Sequence, residues 1–236
     1  MFKYIDLHLK KPAKPDELHL ILEYAKGLGY GAIGLASNDS PNLRDIGREL
    51  DIEVVARIDL RPESGRELLR SLSNLRWRYE VVAVECTRKE VARQAAKDHR
   101  VDILNFSPSP NTRVKVWFDR QEATLASEAG CALEINVSDI LTAGPIQCAK
   151  LLSVMRVEIE NARRKDVPVI ISSGADSPIL MRSPREIVAL LDLLLVEEGE
   201  GKEMISRNPL MIVERNRGKM APGFVAPGVR VVGDAR

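Results

Sequence analysis

The stretch VIISSGADSPILMRSPREIVAL, residues 169–190, encodes a strand, a turn and the start of a helix. The run PVIISS is apolar up to its serines, which is typical of a parallel strand that is buried on both faces. Ser183 can accept a hydrogen bond from the amide of Glu186, whose side chain can reach back, and Pro184 suits the first helical position. The apolar residues that follow have helical spacing: Ile187, Leu190, Leu191 and Leu194. The stretch is therefore one β-then-α unit.

The same unit recurs along almost the whole chain. Short apolar runs that predict strands occupy residues 3–9, 31–35, 53–60, 81–85, 102–106, 132–137 and 168–173. About seven β-then-α units without a cluster of consecutive strands favour a parallel sheet with helices outside it. Because no linker interrupts the repetition, we predict an α/β fold, a TIM-like (β/α) barrel with about seven strands. An open doubly wound sheet is the alternative.

Other local signals predict where helices and turns lie. Ser40 followed by Pro41 has helix-start chemistry, and Asp119 with Glu122 has the spacing of a capping box. The polar segment EEGEGK, residues 197–202, predicts a turn.

The end of the chain departs from the β-then-α pattern. NPLMIVERNRGK at residues 208–219 predicts a helix, and the last residues are rich in proline and glycine. We therefore assign residues 1–219 to a single barrel domain and residues 220–236 to a C-terminal tail.

Composition excludes several classes of protein. The 236 residues include no apolar run near the ~20 that a membrane span requires, which indicates a soluble protein with no membrane partner. The first residues lack the apolar core of a secretory signal, so we expect a cytoplasmic location. Cys86, Cys131 and Cys148 lack the spacing of a disulfide framework or a zinc site. With 35 basic and 34 acidic residues, a nucleic-acid partner would need a local basic surface.

The serines that end the strand at residues 168–173 are poor candidates for catalysis. A serine nucleophile needs a base, and the local sequence lacks the G-x-S-x-G elbow. Gly174 alone does not make a phosphate-binding loop. Arg182 is different, because it lies just before a helix start, where an anion can be shared with backbone donors. A solvated arginine is the alternative.

Four motifs in order carry a resemblance to a known family. They are RVDIL at residues 100–104, ALEINVSDIL at 132–141, DVPVIISSGADSPILMRSPREIVAL at 166–190 and NPLMIVERNR at 208–217. Together they resemble the ribonuclease P protein component 3 family, the thirty-kilodalton protein subunit of the archaeal and eukaryotic ribonucleoprotein. The resemblance covers residues 3–219.

The resemblance implies a barrel similar to that of the polymerase and histidinol phosphatase group and a role in removing 5′ leaders from precursor tRNA. It implies that the ribonuclease P RNA cleaves the phosphodiester bond with bound Mg²⁺, so that no catalytic residue, metal or cofactor is expected on this chain. The implied protein partner is a smaller subunit of the Pop five family, in a heterotetramer with two copies of each. Other ribonuclease P proteins are further partners, and precursor tRNA is an indirect one.

The family's RNA-contacting positions fall on Arg93, Arg113, Arg182 and Lys202 in this sequence. The loop SPSPNTRVKVWFDR at residues 107–120 departs most from the family, and Arg113 falls inside it together with Lys115 and Arg120. Such side chains would position RNA through its phosphates. Each could instead be a solvated charge on the barrel surface, and we interpret the basic stretch 61–80 in that way.

Aromatic content favours contact with RNA backbone and shape. Only 4% of the residues are aromatic, and Trp77 and Trp117 are the only tryptophans. Proteins that read single strands stack bases on aromatic side chains, so this chain has little material for that mode.

DLHLK at residues 6–10 suggests a rival function. Related phosphoesterases carry D-L-H-x-H there, and here the second histidine is Lys10, which has no lone pair to donate when protonated. Glu85 and Glu134 could still join Asp6 and His8 in a Mg²⁺ or Mn²⁺ site of a metal-dependent phosphoesterase. We favour hydrogen bonds of Asp6 and His8 inside the barrel mouth. A barrel that binds only protein is a third reading.

Overall fold

The computed structural model describes residues 4–12, 15–36, 47–226 and 229–230. The helix start predicted at Ser40 and Pro41 lies outside these residues. Seven strands form one parallel sheet, and each begins and ends within one residue of its predicted bounds. They are β1 Tyr4–Lys10, β2 Tyr30–Ala36, β3 Glu53–Leu60, β4 Val81–Cys86, β5 Ile103–Phe106, β6 Ala132–Asn136 and β7 Val169–Ser172.

Helices alternate with the strands. They are α1 Pro15–Gly27, α2 Gly65–Leu75, α3 Lys89–Ala96, α4 Pro110–Arg113, α5 Arg120–Ala129, α6 Val137–Leu141, α7 Pro145–Arg163, α8 Pro184–Leu191, α9 Glu198–Met204 and α10 Arg207–Met220. Residues 47–49 are also helical, and 3₁₀ turns occupy Pro178–Leu180 and Asp192–Leu194. None of the described helices is long and apolar enough to cross a membrane.

The sheet closes on itself. Its strands are paired in the order of the sequence, and β1 meets the segment that follows β7 through a parallel bridge between Leu9 and Ala175. The amide of Lys10 donates to the carbonyl of Ala175 at 2.8 Å, and the amide of Gly174 donates to the carbonyl of His8 at 2.9 Å. An open doubly wound sheet would leave these strands on separate edges, so the barrel prediction is confirmed.

Both predicted capping boxes are present. Ser183 accepts from the amide of Glu186 at 3.3 Å, and Glu186 accepts from the amide of Ser183 at 2.7 Å, which fixes the start of α8. Asp119 and Glu122 make the same reciprocal pair at the start of α5.

The turn predicted at residues 197–202 is wrong, because this segment belongs to α9. Glu198 and Glu200 lie in the first turn of the helix and Lys202 in the last, an arrangement that complements the helix dipole. Gly201 is buried, and a Cβ there would lie 3.1 Å from a methyl group of Leu191. Close packing against α8 therefore overrides the weak helix propensity of the two glycines.

α10 covers the amino-terminal end of the barrel. Ile212 and Val213 pack into the barrel interior against Ile5, Leu7 and the other inward apolar side chains of the strands. The side chain of Asn216 donates to the carbonyl of Glu80 at 2.8 Å, so the helix also satisfies backbone groups at the strand ends. Beyond α10, two strands pair antiparallel within the segment predicted as a tail: β8 Phe224–Ala226 and β9 Val229–Arg230.

β1 and β2 approach each other unusually closely. The β1–β2 register shifts between Asp6 and Leu9, and a Cβ on Gly34 would lie 2.2 Å from the carbonyl oxygen of Leu7. Only glycine allows this approach. The irregularity brings the Leu7 carbonyl within reach of a side chain in the barrel interior.

A filled barrel mouth and a candidate RNA interface

An arginine occupies the centre of the barrel. Arg57 projects inward from β3 and its side chain is completely buried. It makes two 2.6 Å bonds to the two carboxylate oxygens of Glu134 on β6. It also donates to Asp59 at 2.8 Å and to the Leu7 carbonyl at 2.8 Å. A fully buried guanidinium requires such partners, because an unpaired charge is very costly away from water.

Further polar side chains complete this arrangement, and we call the whole the central ion network: Arg57, Glu134, Asp59, His8, Asn105 and Ser172. The amide of Asn105 and the hydroxyl of Ser172 each donate to Glu134 at 2.8 Å. Because the Glu134 carboxylate already accepts from Arg57 and these two groups, its oxygens are saturated. Arg57 holds the pKa of Glu134 well below its usual range despite burial, so this carboxylate is ionised.

His8 forms the outer layer of the central ion network. Its Nε2 lies 3.1 Å from Asp59, and its Nδ1 lies 2.9 Å from Asn136 and 3.3 Å from Glu134. Burial and Arg57 lower the pKa of His8, but the carboxylates of Glu134 and Asp59 outweigh them and raise this pKa to about 9. His8 is therefore an imidazolium at neutral pH, and two cations balance two carboxylates in the barrel mouth.

Asp6 and Ser173 make hydrogen bonds to backbone groups of β1 and of the segment after β7. Asp6 accepts from the amides of His8 at 3.1 Å and Ser173 at 3.0 Å. Ser173 donates to the carbonyl of His8 at 3.2 Å, which ties β7 to β1. The interpretation of Asp6 and His8 as hydrogen-bonded groups is confirmed. Burial raises the pKa of Asp6, and its Oδ2 has no hydrogen-bond partner among the described residues.

These residues do not fit a divalent metal ion. The guanidinium of Arg57 takes both oxygens of Glu134, and Glu85 is paired with Arg61 at 2.6 Å. Both ring nitrogens of His8 are directed at oxygen acceptors on Asp59, Asn136 and Glu134, so neither presents a lone pair to a metal. In the part of the chain that the structure describes, no group of three or more His, Cys, Asp or Glu side chains is arranged to hold an ion.

Arg93 lies on α3, at the barrel surface. Its guanidinium makes a two-pronged ion pair with Asp119, with distances of 3.0 and 2.9 Å, and contacts Glu122 at 3.2 Å. Lys89 approaches the same two carboxylates. Arg93 is therefore partly exposed but already paired, and a phosphate would have to share it with Asp119.

Arg113 lies in the interior, and its side chain is only 1% exposed. It contacts Glu158 on α7 at 2.6 Å through Nη2 and at 3.1 Å through Nε. The amide of Phe118 also donates to Glu158, at 3.2 Å. A phosphate cannot reach this guanidinium in the folded chain, so we leave Arg113 out of the proposed RNA interface. Its role in the structure is to hold the 107–120 loop against α7.

Arg182 and Lys202 lie near one surface groove. Arg182 is half-buried and donates through Nη1 to the carbonyls of Ile179 and Met181. Lys202 is exposed and pairs with Glu198 one turn earlier on α9. Lys202 and Ser183, which follows Arg182, line the same groove of about 880 Å³. Arg93 lies on the helix after β4, so the structure does not unite the predicted contacts in one patch.

The comparisons with known proteins decide the family. A model described as RNase P subunit p30 matches residues 3–221. The chain belongs to the RNase P subunit p30 family. It is 32% identical to ribonuclease P protein component 3 of Methanosarcina barkeri over 88% of this chain and 86% of the relative. It is 29% identical to the same component of Methanosarcina mazei, with 93% and 92% covered.

The barrel also matches a chain of known structure. A chain in a cryo-electron-microscopy structure of archaeal ribonuclease P with mature tRNA superposes with a TM-score of 0.84. The match covers 98% of this chain and 99% of that chain at 22% identity, so it concerns the fold. Family and fold thus agree with the motifs that carry the resemblance, and they do not favour a phosphoesterase.

Among the described residues, the p30-family barrel contains three buried arginines that sequence reasoning either missed or assigned elsewhere: Arg57, Arg76 and Arg113. The interpretation of the stretch 61–80 as solvated charge is wrong for Arg76, which is buried and paired with Asp102 at 2.9 Å. Arg57 interrupts the apolar run of β3, and Glu134 interrupts that of β6. Opposite charges inside two largely apolar strands are a signal for a buried pair, and this signal was available in the sequence. For the pair of Arg113 and Glu158, which are 45 residues apart on different helices, the sequence offers no such signal.

The pKa of His8 leads to a pH prediction. Because the folded-state pKa of about 9 exceeds the unfolded value near 6.5, the stabilisation is complete below pH 6.5 and is lost as pH rises through 9. The free energy of unfolding of the natural chain, relative to His8→Gln, should fall by about 3 kcal/mol between pH 6 and pH 10. Urea titrations measure this, with the exposed His19→Gln as a control. A pH-independent difference for His8→Gln would contradict the assignment.

Proposed function

We propose that this chain is a protein subunit of ribonuclease P that supports removal of 5′ leaders from precursor tRNA while an RNA subunit performs the cleavage. The match of residues 3–221 to the RNase P subunit p30 family carries the proposal. The central ion network supports it, because Arg57 and the cationic His8 fill the barrel mouth where related folds build catalytic sites.

The same family membership supports a proposal for the assembly. The chain pairs with a smaller subunit of the Pop five family in a heterotetramer with two copies of each, and it works beside other ribonuclease P proteins in the cytoplasm. Mg²⁺ serves the RNA subunit. Precursor tRNA meets this chain indirectly, through the RNA that the chain supports.

Contact with the RNA is made through arginine and lysine side chains on phosphates. Arg182 suits this role because it lies one residue before the cap of α8, close to the positive end of the helix. Among the described residues, only its Nη1 has hydrogen-bond acceptors, so Nε and Nη2 are available to donate to a phosphate. Lys202 lies in the adjacent groove, and Arg93 adds a second contact region beyond β4.

Arg182→Ala should weaken RNA binding and reduce the activity of reconstituted ribonuclease P. The slope of log affinity against log salt should fall by about 0.7 to 0.9, as expected for one lost phosphate contact. Stability should hardly change, because the side chain donates only to nearby carbonyls. Filter binding at several salt concentrations and precursor tRNA cleavage measure these effects.

The exposed Arg66 on α2 provides the matched control, because Arg66→Ala removes the same charge from another helix. If Arg182→Ala binds RNA and supports cleavage as well as Arg66→Ala does, Arg182 is not a contact residue.

A further inference from the structure

A cleft lies between the start of α5 and one face of α7. Of the RNA-contacting residues proposed above, only Arg93 lines it. It has a volume of about 750 Å³, which is within the range of small-ligand sites. Arg156 and Glu160 on α7 and Arg164 at its C-terminal cap are spaced four residues apart, so they face the cleft together. Arg93, Trp117 and Arg120 line the opposite side. We call this surface the arginine cleft.

Positive charge exceeds negative charge in the arginine cleft. Among the described residues, four arginines line it, against the carboxylates of Asp119 and Glu160. Asp119 is already paired with Arg93, and Glu160 is paired with Arg164 at 2.8 Å. Arg156 donates to the carbonyl of Leu193 at 2.9 and 2.8 Å, so it is oriented without being neutralised.

Arg120 is exposed, and its side chain has no ion pair or hydrogen bond among the described residues. Together with Arg156 it leaves two positive charges without a carboxylate beside the same cleft. This charge pattern suits a ligand that carries phosphate.

Trp117 adds a flat apolar surface beside these charges. Its carbonyl accepts from Lys89 at 3.1 Å. The next residue, Phe118, is buried, packs edge to face on Phe106 with ring centres 6.0 Å apart, and is bonded through its carbonyl to Asn161. The backbone of Trp117 is therefore held in place, while its partly exposed indole faces the cleft.

We propose that the arginine cleft binds an unpaired nucleotide of RNA, with the base stacked on Trp117 and the adjoining phosphates on Arg120 and Arg156. Two arginines beside one aromatic ring match the two parts of a nucleotide. The base has a π-face that can stack on the ring, and the phosphate carries a negative charge that the arginines can bind. A duplex keeps its bases stacked internally and cannot present one to the indole. The proposal deepens the proposed function and rests on it, because it names one RNA feature that the chain holds.

The two tryptophans of the sequence allow a direct test in the full chain. Trp77 is 65% exposed and does not belong to the cleft lining, and Trp77→Phe leaves Trp117 as the only indole of the sequence. Single-stranded hexaadenylate should quench the Trp117 fluorescence saturably. A six-base-pair RNA duplex and hexaglutamate should not quench it at the same concentrations. Hexaadenylate should not quench Trp117→Phe, in which Trp77 is the only indole.

Substitutions identify the groups that hold the oligonucleotide. In the Trp77→Phe background, Arg120→Ala should weaken binding roughly fivefold or more and lower the salt slope by about 0.7. Anisotropy of labelled hexaadenylate should show roughly tenfold weaker binding to Trp117→Leu. Arg66→Ala is the control for loss of an exposed helix charge. Equal quenching by hexaglutamate or by the duplex, or no effect of Arg120→Ala, would overturn the proposal.

The experiments distinguish an incorrect assignment of the arginine cleft from an incorrect assignment of the ribonuclease P function. If Trp117 is not quenched but the chain binds the ribonuclease P RNA and stimulates precursor tRNA cleavage, only the arginine cleft assignment is overturned. If the chain binds neither the oligonucleotide nor the ribonuclease P RNA, both proposals are overturned.

Discussion

Glu134→Gln is expected to lower the free energy of unfolding by about 3–5 kcal/mol, because it leaves the buried charges of Arg57 and His8 with Asp59 as their one remaining carboxylate in the central ion network. Arg57 is completely buried and makes both of its shortest bonds to Glu134. Asn105 and Ser172 also lose a charged acceptor. Urea unfolding followed by circular dichroism measures the change. A loss below about 1 kcal/mol would contradict the central ion network as described.

A volume-conserving double variant separates charge from packing. Arg57→Met combined with Glu134→Leu removes both ions at once, and such replacements of buried pairs are often neutral or stabilising. We expect it to regain most of the stability that Glu134→Gln loses. If the double variant is as unstable as the single one, packing and not an uncompensated buried charge is the cause of the loss.

Arg113→Ala is expected to have an effect of similar size, about 3–5 kcal/mol, because Glu158 would remain as an unpaired buried carboxylate. Arg182→Ala should unfold at nearly the same urea concentration as the natural chain. The sequence resemblance places both Arg113 and Arg182 at RNA-contacting positions of the family. Comparing the stabilities of the two variants therefore distinguishes a structural arginine from an RNA-contacting one. Unchanged stability of Arg113→Ala, together with weaker RNA binding, would return Arg113 to the RNA interface.

The barrel could be predicted from the sequence because parallel strands are buried on both faces and therefore read as short apolar runs. Local chemistry was equally informative at α5 and α8, where the capping boxes of Asp119 and Ser183 form as predicted. Both kinds of signal depend on neighbours within a few residues. They fail at α9, whose two glycines predict a turn and whose helix depends on contact with α8.

The candidate site was less predictable because it depends on pairs that are distant in sequence. The charges of Arg57 and Glu134 stand 77 residues apart and meet only when the barrel closes. The sequence places Arg113 in a loop, and its burial depends on the ion pair with Glu158 of α7, which lies 45 residues later in the chain. The arginine cleft likewise combines α3, the 107–120 loop and α7, and no short motif contains it.

The most direct test of the account is reconstitution of ribonuclease P from its RNA and protein subunits with this chain present or omitted. We expect precursor tRNA cleavage to fall sharply when the chain is left out, to return when the natural chain is added, and to return only in part with Arg182→Ala. Cleavage that is unaffected by omission, or RNA-free turnover of precursor tRNA by the purified chain, would contradict a supporting role for a barrel whose mouth is filled by Arg57.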